Sequence, residues 1–112
     1  MRKRKDGNQH LLENEFIARG ATICDLSQAP GVLDLLVGFR GETAWVEIKD
    51  GRLSPSRRAL TAMEQRRFDE WNGDGPHLVE SVEDVEKLLI YMARRAQVRK
   101  HAELAATTEE MI

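Results

Sequence analysis

The sequence predicts an α/β protein, a central mixed β-sheet flanked by helices, with elements in the order α-β-β-β-α-β-α. Three observations carry this. Two short apolar runs, Leu33–Val37 and Thr43–Ile48, are separated by Gly38-Phe39-Arg40-Gly41, which suits a hairpin turn between antiparallel strands. Two helix-start signatures, Thr61-x-x-Glu64 and Ser81-x-x-Asp84, precede amphipathic stretches. A short stretch at residues 77–79, between those two helices, reads as a further strand.

The elements follow in turn. Asn8 to Arg19 reads as a helix with Leu12 and Phe16 on one face and Gly20 as its stop. Ala21 to Leu26 reads as a strand, and Ser27 to Gly31 as a loop. The hairpin strands come next, then a polar, basic loop over Asp50 to Ala59. The helix capped by Thr61 runs to about Asn72 and ends at Gly73. Phe68 and Trp71 fall on one side of it and read as core residues. After the short strand His77–Val79, the last helix carries Val82, Val85, Leu88, Leu89 and Met92 on its stripe. That stripe weakens beyond Arg95, which divides the chain into a single domain over 1–95 and a helical tail over 96–112, frayed or packed on another chain.

Composition excludes several classes. With 112 residues, 32% charged and 41% hydrophobic, the chain fits one soluble globular domain. A net charge of −2 is not that of a non-specific nucleic-acid coat. The basic residues are unevenly spread, however: Arg2 to Lys5, then Arg52, Arg57, Arg58, Arg66 and Arg67, then Arg94, Arg95, Arg99 and Lys100. Such a divided surface binds a phosphate backbone locally. Cys24 is the single cysteine, so a disulfide framework and a cysteine zinc site are excluded, and it reads as a small core residue. His10, His77 and His101 lack metal-ligand spacing. No signal peptide or membrane span is read, which leaves the cytoplasm as the expected compartment, or the host cytoplasm for a phage-borne gene.

The chemistry concentrates in the hairpin. Residues i and i+2 of a strand share a face, so Glu47 and Lys49 project together with Ile48 behind them, and Trp45 either alternates on the same face or is displaced by twist. The hairpin can bring Asp34 beside Glu47. Two carboxylates and an ammonium then converge at a sheet edge. Carboxylate oxygens suit Mg²⁺, which takes one or two protein carboxylates and keeps other positions for water and phosphate. This points to metal-assisted hydrolysis of a phosphodiester. Taken alone, Val-Glu-Ile-Lys is also an ordinary amphipathic strand; the ordered set Gly-x-x-Asp, apolar run, turn and Glu-x-Lys-x-Gly separates the two readings.

With those residues in view, Gly31-x-x-Asp34-Leu35-Leu36-Val37-Gly38 and Val46-Glu47-Ile48-Lys49-Asp50-Gly51 resemble the core of the PD-(D/E)xK nuclease superfamily. More narrowly, the chain resembles the small phage and bacterial proteins of the VRR-NUC type, which are similar to Holliday-junction resolvases. The resemblance spans about residues 5 to 90 and also rests on Lys5-Asp6-Gly7-Asn8-Gln9, Leu60-Thr61-Ala62-Met63-Glu64-Gln65 and Val79-Glu80-Ser81-Val82-Glu83-Asp84. Leu33 stands where the family usually has proline, and Asn8, Gln9 or Glu13 where the superfamily often has a helix-1 glutamate. The resemblance implies a restriction-endonuclease-like core and a metal-dependent DNA endonuclease. Asp34, Glu47 and the Ile48 carbonyl would hold Mg²⁺ or Mn²⁺, Lys49 would assist the attacking water, and Gln9 would complete the outer shell. Arg52, Arg57, Arg58, Gln65 and Arg66 would meet the DNA backbone, with Gln65 as the family's post-site glutamine. The expected substrate is branched or Holliday-junction DNA, read by structure more than sequence. A homodimer is expected, with Leu88, Ile90, Tyr91 and Leu104 in excess of what one core buries. Two other readings stand beside this one: a nicking or end-processing nuclease, and a non-catalytic DNA- or protein-binding module on a nuclease fold.

Overall fold

The computed structural model of the chain describes residues 6–111, so Arg2 to Lys5 lie outside the described residues. Helix α1 (Gln9–Ala18) leads into strand β1 (Thr22–Asp25), followed by β2 (Leu35–Phe39) and β3 (Glu42–Ile48). A single 3₁₀ turn over Pro55–Arg57, helix α2 (Ala62–Glu70), strand β4 (His77–Val79) and helix α3 (Val82–Met111) complete the order. The strands form one sheet in the order β1-β2-β3-β4, antiparallel except for the parallel pair β3/β4. The α/β mixed sheet read from the sequence is thus the observed architecture.

The hairpin turn is two residues, Arg40 and Gly41, both at positive φ (53° and 83°). That geometry matches the right-handed twist of the flanking strands. The positive φ is what favours glycine at position 41; a Cβ there would also displace the Arg99 guanidinium, 2.6 Å away. Strand β2 therefore runs two residues closer to the turn, and β3 one, than the apolar pattern indicates.

Side-chain alternation sorts the sheet into two faces. Leu35, Val37, Ala44, Val46, Ile48 and Val79 face a core closed by Leu12 and Phe16 of α1 and Val85, Leu88, Leu89 and Met92 of α3. Phe16, Leu12, Leu35 and Ile48 have no accessible surface. The other face of β3 carries Thr43, Trp45, Glu47 and, continuing, Lys49. Helix α2 meets this second face through Glu64, which reaches Lys49.

Both helix-start signatures are observed, one in full. The Glu64 N–H donates to Thr61 Oγ1 (3.2 Å) and the Thr61 N–H donates to Glu64 Oε1 (2.8 Å). In the second, the Asp84 N–H donates to Ser81 Oγ (3.3 Å), but the Asp84 carboxylate reaches back to the N–H of Glu80 (2.9 Å) instead of Ser81.

Several expectations are corrected. Cys24 is exposed, not core; β1 is an edge strand whose inward position is Ile23, so period-two alternation turns Cys24 out. Helix α2 stops at Glu70 because Trp71 takes an extended conformation (φ −67°, ψ 120°). Trp71 consequently leaves the helix face and is 48% exposed, while Phe68 is half-buried. Leu88 is buried in the chain's own core and is not available to a partner, whereas Ile90, Tyr91 and Leu104 are exposed. Helix α3 runs unbroken across residue 95; Ala96 is its last buried residue and 101–109 are all exposed. Among the described residues no helix is long and apolar enough to cross a membrane.

Candidate active site

The site forms where β3 leaves the sheet. The β2/β3 register pairs Leu35 with Val46, so the next step places Asp34 opposite Glu47. Directly opposed residues have Cβ atoms about 5 Å apart. Strand β2 begins only after Asp34, and the Asp34 carboxylate takes the place of a ladder carbonyl: its Oδ2 accepts the Ile48 N–H at 2.9 Å. The N–H and C=O of one strand residue point to the same neighbour. The Ile48 carbonyl therefore points toward the Asp34 side as well. Asp34 and Glu47 are both buried, at 3% and 1% exposure.

Backbone closure around the site is tight. The Lys49 N–H donates to Val79 O (3.1 Å) and the Gly51 N–H to Glu80 O (3.2 Å). A Cβ at Gly51 would sit 2.8 Å from the Glu80 carbonyl oxygen, so only glycine lets the chain pass β4 here. Asn8 ties the start of α1 to the same place, its Nδ2 donating to Lys49 O and Glu80 O, each at 3.1 Å.

Lys49 shares the Glu47 face, as its spacing requires, but its ammonium is committed elsewhere. Its Nζ lies 2.8 Å from Glu64 Oε1 of α2, with both side chains about nine-tenths buried. Burial pulls the Lys49 pKa down; the hydrogen bond to Glu64 and the charges of Glu64, Glu47 and Asp6 outweigh it and hold the ammonium above its ordinary value of 10.5. Asp6 reports the other side of this balance. Its carboxyl is pushed up by burial and by Asp34, Glu64 and Asp50, with Lys49 opposing. Carboxylates thus outnumber the ammonium they surround.

Sequence reasoning missed Glu64, Asp6 and Asp50 as site residues. Glu64 was legible as a cap, and only the fold shows that the same oxygen serves Lys49. Asp50 is 5% exposed and is held by Arg52 through contacts of 2.7 and 2.8 Å. The Arg52 side-chain bond, opposed by burial and aided by the Arg52 N–H, lowers its pKa to about 2. A depressed carboxylate stabilises the fold above its unfolded pKa of 3.8 and loses that contribution as pH falls toward 2. Urea midpoints measured from pH 5 to pH 2 should therefore fall less steeply for Asp50→Asn than for the wild type.

Gln9 is fully buried, its Nε2 donating to Glu13 Oε2 at 2.8 Å, and its Oε1 has no hydrogen-bond partner among the described residues. The expected basic track is partly occupied. Arg52 is bound to Asp50, and Arg58 is held by Glu80 and by the Leu53 carbonyl (3.1 Å). Gln65 is exposed and donates to Asp69 (2.9 Å), four residues along α2. Arg57 and Arg66 are exposed, with no ion pair among the described residues. Arg95 and Arg99 pair with Glu42 at the far end of β3, about 20 Å of strand from Lys49.

Among the described residues, no three His, Cys, Asp or Glu side chains gather closely enough to hold a metal by themselves. Asp34 and Glu47 instead offer a pair of hard oxygen donors. That chemistry fits Mg²⁺ or Mn²⁺, which accept water and substrate oxygens in their remaining positions. No family model matches the chain, and neither a curated protein nor a solved structure does.

Proposed function

We propose that the chain is a metal-dependent DNA endonuclease that hydrolyses phosphodiester bonds, acting on branched DNA. The observation that carries this is the buried pair Asp34 and Glu47, opposed at the end of the β2/β3 ladder beside the Lys49 ammonium that Glu64 holds. The resemblance of these segments to PD-(D/E)xK nucleases of the VRR-NUC type supports it. So does the electrostatics: the buried carboxylates of Asp34, Glu47 and Glu64 around the one Lys49 ammonium would repel a phosphate unless a cation stood between them.

Asp34, Glu47 and the Ile48 carbonyl would hold the ion, and Gln9 would support the shell around it. The ion would polarise the scissile phosphate and acidify a bound water. The chain's own residues do the rest. Asp34 is fixed by the Ile48 N–H. Glu64 holds Lys49 in place, and the ammonium stabilises charge that develops on the phosphoryl oxygens. Arg57 and Arg66 meet the DNA backbone, with Arg52, Arg58 and Gln65 flanking them. Resolution of a four-way junction needs two such sites related by a two-fold axis, so a homodimer belongs to this reading, with Ile90, Tyr91 and Leu104 on offer to a partner. A single site would make the same chemistry a nicking or end-processing activity.

A non-catalytic DNA- or protein-binding module is the second reading, favoured by the engagement of Lys49 with Glu64 and of Gln9 with Glu13. Lys49→Ala separates the two. Lysine is not a ligand, so calorimetric Mn²⁺ affinity should be preserved or raised, while turnover falls by about 10²-fold or more. Full turnover in Lys49→Ala removes the lysine from the chemistry.

A further inference from the structure

The second face of the sheet continues beyond the acidic cluster into an open aromatic groove. Trp45 lies two residues before Glu47 on the same face of β3, so the groove starts about 7 Å from the site along the strand. Its volume is about 450 Å³, and Leu26, Val32, Leu36, Trp45, Trp71 and Asp74 line it. Trp45 and Trp71 meet edge-to-face, with ring centroids 4.6 Å apart and planes at 67°. Trp71 is 48% exposed, yet it is not free to swing: its indole N–H donates to the Asp74 carbonyl at 3.3 Å. Leu36, the cross-strand partner of Trp45, is 37% exposed beside it. The Trp45 indole N–H is buried with no acceptor among the described residues, an unusual state for a tryptophan donor.

The groove also connects to the acidic cluster by a second route. Val32 is shared with an adjoining hollow of about 250 Å³ whose walls include Met63, Arg67 and Glu64, the residue that holds Lys49. Arg67 is exposed there and anchored at one nitrogen, its Nε donating to the Gly31 carbonyl at 2.8 Å. Arg67, four residues before Trp71, thus presents a guanidinium on the wall of the hollow that adjoins the indole pair.

From this we infer that the Trp45–Trp71 groove is a subsite for one unpaired nucleotide next to the scissile phosphate. The base stacks on the exposed Trp71 ring, and Arg67 receives its phosphate. Any base has a π face for the exposed indole of Trp71, whereas a base held in a duplex is stacked on its neighbours and cannot enter. The inference rests on the nuclease reading for its location, and it deepens that reading: the preferred DNA carries an unpaired nucleotide at the branch.

The test is binding in Ca²⁺, a hard cation that screens the carboxylates as Mg²⁺ would, with gels confirming that the DNA stays uncut. Labelled DNA with a short single-stranded flap is compared with a fully paired duplex of the same length, by anisotropy and by quenching of the protein's tryptophan fluorescence. The flap should quench the indoles and the duplex should not. Trp71→Ala should weaken flap binding by about 10- to 100-fold, leave duplex binding unchanged, and be largely rescued by Trp71→Phe. Equal losses on flap and duplex, no loss on either, or no binding of DNA at all would overturn the subsite. So would a Trp71→Ala chain that loses self-association in sedimentation while flap affinity stays the same, since the groove would then belong to a second copy. Flap binding through Trp71 with no cleavage in Mg²⁺ or Mn²⁺ would keep the subsite and end the nuclease reading alone.

Discussion

Asp34→Asn and Glu47→Gln are each expected to lower metal-dependent DNA cleavage by about 10²- to 10³-fold or more, the scale lost when one charge-stabilising group is removed from a preorganised site. The amide variants are the informative ones. Asp34 accepts the Ile48 N–H, and Asp34→Asn keeps an oxygen there. Asp34→Ala would leave a buried N–H unmet and cost about 1–3 kcal/mol of stability besides, mixing two effects. Glu47 is 1% exposed amid other carboxylates, so Glu47→Gln removes repulsion and should leave the urea midpoint unchanged or raised. Mn²⁺ affinity by calorimetry should fall with the rate. Cleavage at the wild-type level in either variant removes that carboxylate from the site.

The largest stability effect is expected at Glu64. One oxygen, Oε1, accepts the Thr61 N–H and the Lys49 ammonium. Glu64→Ala removes the reciprocal half of the capping box, leaving the Thr61 hydroxyl on the backbone N–H of residue 64, and strands a buried ammonium, which costs about 3–5 kcal/mol when one partner of a buried pair is deleted. Both side chains are only 10% exposed, so solvent screening does not discount this pair as it would a surface bridge. Urea unfolding should show the loss in the midpoint with an unchanged slope. Lys49→Ala combined with Glu64→Ala should lose much less than the sum of the two. Because Lys49 is held above its unfolded pKa of 10.5, the pair's contribution is complete at neutral pH and declines only as pH rises through the elevated value. A loss below about 1 kcal/mol would place Glu64 among ordinary surface ion pairs.

Much of the fold is local chemistry and could be read directly. The capping box at Thr61, the Gly20 stop of α1 and the Arg40-Gly41 turn are each decided within a few residues. Strand periodicity likewise put Trp45, Glu47 and Lys49 on one face, and the hairpin put Asp34 opposite Glu47. What escaped the sequence depends on where elements meet. Glu64 reaches Lys49 only because the fold brings the first turn of α2 to the end of β3. Asp6 joins the cluster because the chain before α1 comes back to the end of β3, where Asn8 bonds the Lys49 carbonyl. Trp71 reads as core while α2 is taken to continue, and becomes a groove wall once the helix ends a residue earlier. The arginines show the same limit. Their charge is legible, but whether a guanidinium is already held, as Arg58 is by Glu80, depends on tertiary contact.

The most direct measurement of the central claim is incubation of the purified chain with labelled four-way junction, flap and linear DNA in Mg²⁺, in Mn²⁺ and in EDTA. Cutting at phosphodiester bonds with either metal, favouring the branched substrates and absent in EDTA, is the result the Asp34–Glu47–Lys49 site predicts. Cleavage that persists in EDTA, or none of the three DNAs being cut with either metal, would contradict it.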